Sequence, residues 1–162
     1  MIRIIPAILL TLILISATNP SPEPEKINWL SWNEGYMKGK KSNKIILIDM
    51  YTDWCGWCKR MDRDTYAKAE IIEIINKDFI PIKFNPEKAN TYDVDGSKVN
   101  GRQLAGLLAN NRQVGYPTTF FLYPKSKMIY LESGYQDATR FKNTLLKYKN
   151  LKPEANKKPS QN

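Results

Sequence analysis

The chain has 162 residues, enough for one domain with a hydrophobic core between two tails. Its 25 lysines and arginines outnumber 16 aspartates and glutamates, giving a formal charge of +9, but the basic residues are scattered and no basic block is interleaved with aromatics. This argues against nucleic-acid binding, and two cysteines without any histidine cannot supply the usual ligand set of a zinc site.

Residues 1–17 carry Arg3, then a stretch from Ile4 to Ile15 that is apolar apart from Pro6 and Thr11, then the small residues Ser16 and Ala17. The pattern predicts a secretory signal peptide cut near Ala17, because the run is shorter than the ~20 residues of a spanning helix and Pro6 interrupts it. An uncleaved membrane anchor is the alternative, and both place the domain outside the cytoplasm, in a periplasm or the extracellular space. Residues 18–26, with Pro20, Pro22 and Pro24, read as an extended linker. Folding is expected over residues 27–150, and residues 151–162 read as a polar tail.

Within that domain, Ile27, Trp29, Leu30, Trp32 and Tyr36 approximate a helical spacing ahead of Gly39. Ile45 to Tyr51 is a short apolar run of the kind buried on both faces in a central strand, with Asp49 as its anomaly. Trp57 to Asn76 contains neither proline nor glycine and predicts one helix; Phe79 to Phe84 predicts the next strand. Residues 85–101 carry the turn signals Asp95-Gly96 and Asn100-Gly101, and Leu104, Leu107 and Leu108 mark a short helix. Thr118 to Tyr123 and Met128 to Glu132 predict an antiparallel hairpin, and Asp137 caps a last helix carrying Phe141, Leu145 and Tyr148. The order predicts an α/β fold, a central mixed sheet flanked by helices on both faces.

The two cysteines, Cys55 and Cys58, stand three apart in Trp54-Cys55-Gly56-Trp57-Cys58-Lys59, where a strand gives way to a helix. A dithiol there can cycle between reduced and oxidised states, with outward backbone N–H groups at the helix start favouring a thiolate on Cys55. Cys55 is therefore expected to be the accessible, attacking sulfur and Cys58 the resolving one. A permanent structural disulfide is the alternative, although closing so short a loop constrains the unfolded chain little.

The run from Leu47 to Lys59, together with Val114-Gly115-Tyr116-Pro117-Thr118, resembles the thioredoxin superfamily, in particular secreted thioredoxin-like proteins and the thioredoxin-type domain of bacterial periplasmic disulfide reductases. The resemblance implies the thioredoxin fold and a thiol-disulfide oxidoreductase that reduces protein disulfides, with no cofactor beyond its own dithiol. It also implies that Asp49 is the buried proton acceptor for Cys58, with Lys83 as its supporting partner, and that the Tyr116–Pro117 bond is cis. Trp54, Gly56, Trp57, Tyr116 and Pro117 would contact substrate. The plainer alternatives are a strand-end Asp49, a surface Lys83 and a trans Pro117. Trp57 departs from the commonest thioredoxin pattern, which has proline there. Protein thiols and disulfides are the expected partners of a monomer, with a membrane protein as electron donor. A disulfide oxidase or isomerase would use the same residues, and a non-catalytic binding module would keep only the scaffold. Residues 85–101 are longer than a compact thioredoxin requires and are expected to border the site.

Overall fold

The computed structural model describes residues 26–152; the signal-peptide reading, nearly all of the linker and most of the polar tail lie outside them. Four strands form one sheet in the order β2-β1-β5-β6: β1 (Ile45–Met50), β2 (Phe79–Phe84), β5 (Thr118–Tyr123) and β6 (Met128–Ser133). β1 runs parallel to β2 and antiparallel to β5, and β5 pairs antiparallel with β6, so the sheet is mixed.

Side chains alternate across a strand, and each face collects its own core. Leu47, Phe79 and Phe121 join Met61, Ile71, Ile75, Phe141 and Leu145 on one face. Ile46, Ile48, Ile82 and Phe120 join Trp32, Leu104 and Leu108 on the other. The helices on the first face are α2 (Gly56–Met61), α3 (Ala69–Asp78) and α5 (Ala138–Asn150); those on the second are α1 (Trp32–Ser42) and α4 (Gly101–Ala109). This is the expected α/β arrangement. Asp49 shares parity with Leu47, so it faces the layer that carries α2.

Three elements differ from the sequence reading. The first helix begins at Trp32, not near Ile27, because Ser31 and Glu34 form a reciprocal capping box there. Leu30 instead bridges the outer edge of β2, its N–H donating to Pro81 O at 3.0 Å and its carbonyl accepting from Lys83 N at 3.2 Å. The helix also runs through Gly39 to Ser42, for Gly35 and Gly39 are where it presses on the sheet. A Cβ built there would lie 2.4 Å from Ile82 and 2.3 Å from Ile46.

The single helix expected from Trp57 to Asn76 is interrupted. α2 passes into a π-helical turn over Asp62–Tyr66, and α3 starts afresh after Lys68, whose backbone is extended. No proline or glycine causes the break. The buried Thr65 hydroxyl donates to Gln136 O at 2.6 Å, a tertiary bond to the segment before α5 that anchors the turn.

Finally, the turn-rich stretch folds into a small hairpin, β3 (Tyr92–Val94) and β4 (Ser97–Val99), closed by Asp95 and Gly96 at positive φ. Tyr92 packs edge-on against Phe84, and the Trp32 indole donates to Asp93 O at 2.7 Å, so the hairpin is fixed over α1. Asn100 and Gln103 then cap α4 reciprocally.

Candidate active site

β1 ends at Met50, and the chain turns through Thr52 and Asp53 to bring Cys55 to the N-cap of α2. Its extended backbone lets the sulfur accept the Cys58 N–H at 3.1 Å, one of the donors left without a partner at a helix start. Cys55 and Cys58 are joined in a disulfide with an S–S distance of 2.10 Å. Both are recessed in this oxidised state, Cys55 at 5% and Cys58 at 3% exposure, so the sulfur expected to stand accessible is nearly covered. The motif's tryptophans are exposed, Trp54 at 66% and Trp57 at 55%. Gly56 has open space where a side chain would project.

Two aromatic pairs flank the dithiol. Trp54 meets Tyr116 edge-on at 5.7 Å, and Trp57 lies 5.5 Å from Tyr135. The Tyr116–Pro117 peptide bond is cis, and Pro117 O accepts the Gly134 N–H at 2.8 Å, tying the proline loop to the residue before Tyr135. The stretch after β2 reaches the motif directly. The Trp54 indole donates to both carboxylate oxygens of Glu87 at 3.2 and 3.0 Å, and Asp53 pairs with Lys88 at 2.6 Å. Residues 85–88 thus border the site, whereas the hairpin itself rests on α1.

Behind the disulfide lies a charged cluster. Asp49 and Lys83 are neighbours in the β1–β2 register, and Lys83 Nζ contacts Asp49 Oδ2 at 2.5 Å. The same ammonium bonds Asp62 of the π-helical turn and sits about 5 Å from the rings of Trp29, Tyr51 and Tyr66. Burial raises the Asp49 pKa, Lys83 opposes the shift, and the net direction is upward. For Lys83, burial alone would lower the pKa, but Asp49 and Asp62 reverse it. The Tyr66 phenol is pushed well above its ordinary value by burial and by the Asp49 charge. Asp49 Oδ1, Thr52 Oγ1 and the Tyr66 hydroxyl are all buried without a hydrogen-bond partner. Such a buried carboxylate oxygen is a place for a proton to arrive.

Among the described residues, no helix is long and apolar enough to cross a membrane, and no cluster of three or more histidine, cysteine, aspartate or glutamate side chains is placed to hold a metal ion.

Residues 18–154 match the family described as Thioredox_DsbH, "Protein of unknown function, DUF255". The chain belongs to this family. Among curated relatives, spermatogenesis-associated protein 20 of Homo sapiens is 28% identical over 99 residues, 60% of this chain and 12% of that protein. The thiol:disulfide interchange protein DsbD of Photorhabdus laumondii is 27% identical over 157 residues, 86% of this chain and 25% of that protein. The chain therefore spans a small part of the relatives it matches. A solved DsbH oxidoreductase superposes with a TM-score of 0.60 at 17% identity, covering 84% of this chain and 94% of that one, a likeness of fold. This DUF255 member is a thioredoxin-fold protein related to DsbD- and DsbH-type disulfide oxidoreductases, and it carries a Cys-x-x-Cys disulfide.

Of the residues picked out from sequence, the structure brings Asp49 and Lys83 into contact and sets Trp54 against Tyr116, next to Pro117. Sequence reasoning missed Asp62, Tyr66, Glu87, Arg60 and Tyr135. Asp62 had a signal: it follows Cys58 by four residues, one helical turn. Tyr135 had none, because only the β5–β6 pairing returns it to the site.

Proposed function

We propose that this protein is an exported thiol-disulfide oxidoreductase that reduces protein disulfides. The reading is carried by one observation: the Cys55–Cys58 pair sits at the start of α2, and the buried Asp49, paired through Oδ2 with Lys83 but with Oδ1 free of any hydrogen-bond partner, faces the layer that carries α2. In the reduced protein the Cys55 thiolate, stabilised by the Cys58 N–H, attacks a substrate disulfide. A mixed disulfide forms and one substrate thiolate leaves. Cys58 gives its proton to Asp49 and attacks Cys55 Sγ, which releases the second substrate thiolate and closes the Cys55–Cys58 disulfide. Two electrons pass to the substrate. A dithiol donor must then return them, and because an exported reductase works in an oxidising compartment, we assign that role to a membrane protein. The kinship with DsbD supports this class of partner.

Reduction of insulin by the wild type, abolished in Cys55→Ser, tests the reading; turnover that survives the substitution would show a scaffold with no dithiol chemistry. In Cys58→Ala the mixed disulfide on Cys55 persists and identifies the substrates. Equilibration with glutathione fixes the direction, and a potential well above roughly −200 mV would make the protein an oxidant instead.

A further inference from the structure

Arg60 lies on α2 two residues beyond Cys58, with its side chain 50% exposed. Its guanidinium carbon is 5.2 Å from the ring centre of Trp57 and 5.2 Å from that of Tyr135. Two rings thus hold a planar cation in place beside the dithiol, so a contact made through it loses little rotamer freedom. Among the described residues its charge is only partly met. Asp64 is engaged twice by Arg63, at 2.8 and 3.0 Å, and takes only the Arg60 Nε, at 3.3 Å. Among the described residues no acceptor meets the two terminal nitrogens of Arg60. The opposite flank has the other sign, since Trp54 ends on the Glu87 carboxylate.

We infer that the Trp57–Arg60–Tyr135 cluster is a specificity element that docks an acidic side chain of an extended substrate segment whose cysteine is presented to Cys55. A guanidinium set over two rings, its terminal nitrogens meeting no acceptor among the described residues, matches a carboxylate in shape and charge, and the remainder of the segment would run toward the Trp54–Tyr116 pair. The inference rests on the dithiol-exchange reading and names the substrate class for it: protein disulfides with an aspartate or glutamate close to the attacked cysteine.

The test uses the reduced full-length protein and two disulfide peptides identical except for Glu or Lys beside the cysteine. The wild type should show about a fivefold higher kcat/KM for the Glu peptide, as expected for one exposed ion pair gained and one repulsion avoided. Raising salt should shrink the ratio. In Arg60→Gln the ratio should fall close to one, and Arg60→Lys, which keeps the charge without the planar fork, should fall between. Unchanged melting temperatures would show that the variants are folded. A wild-type ratio near one, or a preference that survives Arg60→Gln, would overturn this inference and leave the reductase reading standing. Failure to reduce either peptide or insulin would overturn both.

Discussion

The pocket behind the disulfide and the rim in front of it both surround a cation with aromatic rings, to opposite ends. Behind, Trp29, Tyr51 and Tyr66 wall in Lys83, and two carboxylates neutralise it. In front, Trp57 and Tyr135 hold Arg60 at the surface beside the Asp64 carboxylate, which Arg63 shares. Water sets the difference. A buried charge must be compensated by the chain itself, so the Lys83 ammonium is held by Asp49 and Asp62, whereas at the rim solvent does the compensating and a donor is left for a visitor. Substitutions behind should therefore change stability and proton transfer, and substitutions in front should change substrate choice.

The largest effect is expected from Lys83→Met. Asp49 would be left buried without its cation, and loss of one partner of a buried pair costs about 3 kcal/mol. Urea unfolding should show that loss near neutral pH and a smaller one as pH falls, because the raised Asp49 pKa lets the carboxyl take up a proton and the uncompensated charge disappears. An equal loss at every pH would mean that Lys83 acts through packing alone.

Next comes Asp49→Asn. Because the folded-state pKa of Asp49 is raised, its contribution to stability is complete below the ordinary value of 3.8 and is lost as pH rises through the folded value. Asparagine does not titrate, so the variant should gain stability relative to the wild type as pH increases from about 4 toward neutrality. Its resolution step should slow by about 10²-fold, read as accumulation of the mixed disulfide on Cys55 by stopped-flow and mass spectrometry. A variant that gains on the wild type in this way as pH rises yet resolves at the wild-type rate would confine Asp49 to a structural role.

The same contrast marks what was legible in the chain. β1, β2 and β5 could be read because burial leaves apolar runs, β6 because a short connection joins it to β5 as a hairpin, and α5 because Asp137 caps it and Phe141, Leu145 and Tyr148 keep the period. α1 was placed too early. Its capping box was present in the sequence, but Ile27, Trp29 and Leu30 imitate a helical face, whereas Leu30 bridges to β2 and Ile27 and Trp29 pack into the core beside Tyr66. The break between α2 and α3 was illegible, since Thr65 is held by a residue 71 positions away. In the site, Cys55, Cys58, Asp49 and Lys83 lie in one motif and on the next strand. The Arg60–Tyr135 contact and the Trp29 wall depend on segments that meet only after the sheet has formed.

The smallest effect tests whether the rim is ordered at all. Glu87 holds the Trp54 indole with an exposed bond, and such bonds contribute about 1 kcal/mol or less. Glu87→Ala removes the acceptor, whereas Glu87→Gln keeps a carbonyl oxygen for the indole and removes only the charge. If orientation of Trp54 is what matters, alanine should raise KM for the Lys peptide by about threefold with kcat little altered, and glutamine should stay closer to the wild type. If the carboxylate instead attracts the basic end of a segment, the two variants should behave alike and lose the same share of Lys-peptide affinity. Either result sharpens the contrast with the pocket behind, where neither substitution should move the pH profile set by Asp49.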